Sequence, residues 1–153
     1  QSPDFARMIS EHDAQRVASY ILPDKVVHGG RFDAQARYVE PTILYPSTWD
    51  DPALQQEVFG PVMSIIPFDG EDEAVAIANG TSYGLGTFLH TRDVSRVHRL
   101  VSRFESGTVS VNGVSALPPA APFGGYKQSG FGREGGRDGL MEFLQVKNVH
   151  INF

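Results

Sequence analysis

Two side chains within one turn carry the first chemical signal in this 153-residue chain: Glu57 and Phe59, in Glu57-Val58-Phe59-Gly60-Pro61-Val62. A carboxylate placed just before Gly-Pro sits at the mouth of a strand, because proline removes a ladder donor and fixes φ. Ligands of open α/β sheets bind at strand mouths, so both residues are candidate ligand contacts. The same stretch also describes a solvated carboxylate beside a packed phenylalanine. A second signal is Phe123-Gly124-Gly125-Tyr126-Lys127-Gln128-Ser129-Gly130-Phe131-Gly132, whose glycines imply close backbone approach to a ligand or to another segment. Neither G-x-G-x-x-G after a strand nor G-x-x-x-x-G-K-[ST] is met, so a phosphate loop is the weaker reading.

Other chemistries are excluded by composition. With no cysteine, the chain holds no disulfide, no thiolate ligand and no cysteine nucleophile. His12, His28, His90, His98 and His150 form no His-x-x-x-His pair, so neither a metal site nor a catalytic residue is assigned. A net charge of -5 gives no basic footprint for nucleic acid. No apolar run is long enough to span a bilayer and no signal-peptide pattern opens the chain, so no membrane partner and a cytoplasmic location are expected.

The elements that must position these residues read as α/β. Ser2-Pro3-Asp4 predicts a helix start, and Ser10-Glu11-His12-Asp13 a capping box for a second helix with Ala14, Val17, Ala18 and Ile21 on one face. Lys25-Val26-Val27-His28 is a short strand closed by Gly29-Gly30. Residues 31–37 read as a polar loop and 38–45 as an extended segment interrupted by Pro41. Residues 46–52 are turn-rich, with Trp49 as a packing anchor. The apolar run 62–68 predicts a strand buried on both faces. A helix follows with acids at its start and Ala74, Ile77 and Ala78 buried, ended by Asn79-Gly80. Next come a strand over 85–90 and a helix over 93–105 burying Val94, Val97, Val101 and Phe104. Arg96, Arg99 and Arg103 are expected on its solvated face. A strand over 108–112 completes the alternation, which argues for a largely parallel sheet. After the 113–122 loop, residues 139–144 suggest a short helix. Residues 145–153 alternate at period two, a half-buried terminal strand with a pairing edge.

Several of these segments together resemble the C-terminal portion of the NAD(P)-dependent aldehyde dehydrogenase superfamily. They are the Glu57–Val62 turn, Tyr83-Gly84-Leu85, Gly107-Thr108-Val109-Ser110-Val111-Asn112, the run from Pro122 through Arg133-Glu134, and Val146-Lys147-Asn148-Val149. The first sixty residues, including Arg16-Val17 and Tyr38-Val39-Glu40-Pro41-Thr42-Ile43-Leu44, are similar to the class oxidising fatty and aromatic aldehydes. The glycine-rich end is closer to the broad aldehyde and betaine-aldehyde group.

The resemblance implies an enzyme in which a cysteine thiolate attacks an aldehyde, NAD or NADP takes the hydride, and a glutamate-activated water releases the acid. It implies that Glu57 holds the nicotinamide ribose diol, that Phe59 and Leu85 contact the cofactor, and that Phe123 lines the aldehyde pocket. Asn112 falls beside that pocket or simply ends its strand. The division expected is residues 1–143 as the C-terminal part of the catalytic domain and 144–153 as an oligomerisation strand joining copies of the chain. The family's cysteine and general base match nothing here, so the chain is expected to be a piece of a longer enzyme and inactive alone. The alternative is a non-catalytic module that associates with itself or with a larger dehydrogenase. Exposed apolar patches, and hence aggregation or dye binding, are expected of an isolated piece.

Overall fold

The computed structural model describes residues 5–113 and 118–153; the helix start expected at Ser2-Pro3-Asp4 lies outside the described residues. The chain divides into two units, Gln1–Asp69 and Gly70–Phe153.

In the first unit, helix α1 (Glu11–Ala18) begins where local chemistry dictates. Ser10 is extended, its hydroxyl accepts from the Asp13 backbone N–H at 3.0 Å and donates to the Asp13 carboxylate at 2.8 Å. This is the expected N-cap, with the Asp13 carboxylate bonded back to the cap hydroxyl where a full capping box bonds the cap backbone N–H. Ala14 and Val17 from α1 and Val39 are buried, with Met8, Ile21, Val58 and Val62 packed around them. Strand β1 (Val26–His28) pairs antiparallel with β4 (Thr42–Leu44), which pairs in parallel with β5 (Val62–Ser64).

Residues 31–37 are not simply a loop. Phe32–Asp33 forms β2, antiparallel to β3 (Tyr38–Val39). The turn between them is set by the Asp33 carboxylate accepting from the Ala36 N–H at 3.0 Å. A forked Arg31–Glu40 pair, at 2.7 and 3.0 Å, closes the hairpin and holds the Glu40 carboxyl down at about 2. The apolar run is not buried on both faces either. Regular strand ends at Ser64, among the described residues β5 has β4 as its one ladder partner, and Met63 and Phe68 are more than half exposed. Trp49 is part-exposed and no core anchor.

In the second unit, α3 (Glu71–Asn79) carries three acids in its first turn, as the macrodipole favours. Its buried residue is Val75; Ala74 and Ile77 are half-buried and Ala78 is exposed, a rotation of the expected face. Strand β6 (Tyr83–Gly84) pairs antiparallel with β9 (Tyr126–Lys127), and β7 (Gly86–Leu89) pairs in parallel with β8 (Thr108–Val111). Helix α4 (Val94–Leu100) passes into a 3-10 turn, Val101–Arg103. It buries Leu100, while Val94 and Val101 are exposed and Val97 and Phe104 half-buried. A short α5 (Gly136–Met141) precedes the tail. The α/β expectation stands, but the sheets are mixed. Two parallel pairs occur beside the antiparallel pairs β1–β4, β2–β3 and β6–β9. Residues 145–153 are exposed and form no ladder.

The exposed arginines of α4 and the 3-10 turn after it are not idle. Arg96 and Arg99 both reach Glu71, at 2.8 and 2.9 Å, and Arg103 reaches Asp72 at 2.7 Å. Hydrogen bonds from Arg99 and then Arg96 hold the Glu71 carboxyl at about 2, against an ordinary 4.5. The folded state therefore binds this proton less readily than the unfolded chain. The stability it confers is present above pH 4.5 and is lost as pH falls towards 2. Glu71→Gln is expected to flatten the urea-midpoint profile across that window. A profile as steep as wild type would place the acid sensitivity on other carboxylates.

Candidate functional site

The Glu57–Gly60 turn follows α2 (Pro52–Gln55) and enters β5, so the expected strand-mouth position is observed. Glu57 is exposed, and among the described residues its carboxylate has no hydrogen-bond or ion-pair partner. Phe59 is 78% exposed and sits at φ 48°, a left-handed conformation that non-glycine residues adopt only when their surroundings impose it. The surroundings are visible. Tyr20 donates its hydroxyl to the Gln56 amide oxygen at 2.9 Å, and Arg16 Nη1 donates to the Val58 carbonyl at 2.9 Å. Gly60 lies so close to α1 that a Cβ there would stand 2.7 Å from both methyls of Val17. The Thr42 N–H donates to the Pro61 carbonyl at 2.9 Å. A carboxylate with two free acceptor oxygens fits a vicinal diol, and an exposed ring two residues further on fits a flat heterocycle. The residues present therefore suit the ribose and nicotinamide of NAD or NADP.

Leu85 and Phe123 lie in the second unit and line one cavity of about 380 Å³ with the glycine-rich loop. Phe123 is fixed there by two 2.7 Å backbone bonds exchanged with Glu134. The loop packs closely on itself and on neighbouring backbone, since a Cβ on Gly124 would stand 2.5 Å from the Gly132 carbonyl oxygen and one on Gly125 2.5 Å from the Ser129 Cβ. A Cβ on Gly107 would overlap the Gly124 carbonyl oxygen, and one on Gly84 the Glu105 carbonyl oxygen. The Ser129 hydroxyl accepts from the Gly84 N–H at 3.0 Å. Arg133 spans the loop, donating to the Gly132 and Gly125 carbonyls at 2.6 and 3.2 Å, with its guanidinium 5.4 Å from the Tyr126 ring centroid.

Two polar residues prove structural. The Asn112 side-chain oxygen accepts from the Thr91 N–H at 2.9 Å, and its amide donates to the Thr91 carbonyl at 2.8 Å. Its amide is thus spent on the chain's own backbone. Lys127 donates to the Asn79 and Thr81 carbonyls at 2.6 and 3.2 Å and pairs with Glu105 at 2.7 Å. It thereby caps the C-terminus of α3, where a cation is favoured. Sequence reasoning missed Arg16, Arg133 and Lys127. Only Lys127 had a local signal, its place inside the glycine-rich run. Among the described residues no group of three or more His, Asp or Glu is placed to hold a metal ion, and no helix is long and apolar enough to cross a membrane.

The model of the aldehyde dehydrogenase family matches residues 1–149. A betaine aldehyde dehydrogenase from Rhizobium leguminosarum bv. trifolii is 39% identical over 99% of this chain and 33% of its own length. Among solved structures, the NAD-dependent aldehyde dehydrogenase of Sinorhizobium meliloti superposes with a TM-score of 0.86 at 38% identity, covering 95% of this chain and 30% of that one. The aldehyde dehydrogenase of Mycobacterium tuberculosis complexed with NAD+ gives 0.82 at 36% identity, covering 92% and 31%. The chain spans about a third of the length of the curated relatives it matches.

Proposed function

The chain belongs to the aldehyde dehydrogenase family, and from that premise we propose that it is the C-terminal third of an enzyme oxidising an aldehyde to a carboxylic acid with NAD or NADP. The observation that carries this reading is the preorganised Glu57–Phe59 turn, a free carboxylate beside an exposed ring at a strand mouth. NAD or NADP, when bound, accepts the hydride that leaves the aldehyde carbon. The chain's own residues bind and orient. The Glu57 carboxylate accepts from the two ribose hydroxyls and Phe59 offers its ring to the nicotinamide. Leu85 offers apolar surface to the cofactor, and Phe123 walls the aldehyde's tail. The chain holds no cysteine, so the nucleophile and its base belong to the rest of the enzyme, and residues 1–153 alone are inactive.

Residues 145–153 favour a second role within the same reading. They are exposed, apolar at alternate positions from Val149 to Phe153 and, among the described residues, without a ladder partner, so they suit an edge-to-edge strand between copies. Co-expression with the N-terminal two-thirds of a relative tests both. Aldehyde-dependent NAD or NADP reduction is expected to require both parts. Glu57→Gln is expected to raise the cofactor KM by about tenfold to a hundredfold, the loss of charge-assisted bonds to a diol. No activity on reconstitution, with a defined oligomer formed by the chain alone, would favour the non-catalytic association module instead.

A further inference from the structure

We propose that Arg16 is a positioning residue for the cofactor turn, acting through the peptide plane between Val58 and Phe59; the inference rests on the reading of Glu57 and Phe59 given above. Three observations converge on it. Phe59 occupies φ 48°, a conformation with no intrinsic preference for phenylalanine. The carbonyl of the preceding residue is held by the Arg16 guanidinium at 2.9 Å, across 42 positions of sequence. Arg16 is itself steadied by Asp13 at 3.5 Å, and Asp13 is the residue that joins the Ser10 cap.

The geometry gives the bond a specific job. Rotation of a peptide plane changes ψ of the residue before it and φ of the residue after it. A donor that grips the Val58 carbonyl therefore sets the φ of Phe59. Released, the plane can flip, Phe59 can return to negative φ, and its ring and the Glu57 carboxylate leave their present directions. The flanking contacts do not substitute. Tyr20 grips the side chain of Gln56 and Val17 abuts Gly60, so neither touches the plane in question. The half-buried Arg16 thus links the capped start of α1 to both candidate cofactor contacts.

Arg16→Met keeps the aliphatic stem but removes the donor, and Arg16→Lys restores a cation able to reach a carbonyl. In the 153-residue chain, Arg16→Met is expected to shift the Val58 carbonyl 13C resonance and to raise amide exchange at Phe59 and Gly60 about tenfold. The resonances of β2 and β3 and the melting temperature are expected to stay put, and Arg16→Lys to recover much of the local signal. In the reconstituted enzyme, Arg16→Met is expected to raise the cofactor KM about tenfold, equivalent to about 1.4 kcal/mol, with kcat changed far less. Unaltered Val58 and Phe59 signals would overturn the proposal, as would loosening spread evenly through residues 5–69. Local loosening without a change in cofactor KM would support Arg16's hold on the turn and count against Glu57 and Phe59 as cofactor contacts.

Discussion

Gly107→Ala is expected to unfold most of the second unit at temperatures where the wild-type chain is folded. The glycine N–H donates to the Gly84 carbonyl at 3.0 Å, and its Cα faces the backbone of the glycine-rich loop. A Cβ would overlap the Gly124 oxygen and stand 2.8 Å from the Gly124 carbonyl carbon. Both obstacles are main chain, so no rotamer change relieves the overlap. One of the two segments must move. Moving the loop carries Phe123 and its paired bonds to Glu134 with it, and moving residue 107 breaks the start of β8. A cost of about 3 kcal/mol or more is expected. Gly86→Ala is the matched control, since a Cβ there meets nothing within 4 Å. Thermal melts of the two variants decide the matter. Equal, small shifts would mean that the loop yields without resistance.

Asp51→Ala has the largest expected effect in the first unit. The Asp51 carboxylate is buried and receives the Lys25 ammonium at 2.6 and 2.7 Å, with the Thr48 N–H and hydroxyl each at 3.0 Å. Removing it leaves a largely buried ammonium and two Thr48 donors without an acceptor. The loss is expected to be about 3 kcal/mol, since breaking one side of a buried pair costs more than the pair contributes. Hydrogen bonds from Lys25 hold the Asp51 carboxyl below its ordinary 3.8. Its contribution is therefore present above that value and lost as pH falls below it. Urea midpoints of wild type and Asp51→Ala at neutral pH measure it. A loss under about 1 kcal/mol would mean that Lys25 reaches water once released.

What could be read from the sequence divides by the range of the forces involved. Ser10 as a cap, Gly60-Pro61 as a strand mouth and the acids opening α3 depend on neighbours within a turn, and each is where it was expected. Helix facing depends on what lies opposite. Val75 is buried in place of Ala78, and Leu100 in place of Val94, because tertiary packing selects the stripe. β2 escaped notice because two residues, one of them charged, carry no periodicity. The parallel sheet was over-read. Alternating strands and helices are present in order, but β6 crosses to pair with β9, some forty positions away in sequence and antiparallel. At the candidate site, Glu57 and Phe59 were legible from Gly-Pro alone. Arg16 and Arg133 were not, because an arginine that grips a distant carbonyl has the same local sequence as one in solvent.

The Asn112–Thr91 bonds have a consequence for the register of β7 and β8. A parallel ladder of two short strands is prone to slippage, and a one-residue slip would turn every side chain to the opposite face. In the observed register Leu89 faces Val111, and the Asn112 amide then engages both backbone groups of Thr91. Slipping one step either way brings Val111 or Gly113 to that place, and neither has an amide to offer. Asn112 therefore acts as a pawl on the ladder. It holds β7, which Leu85 immediately precedes, in phase with β8. A residue bonded to the chain's own backbone thereby fixes the register in which β7 and β8 meet.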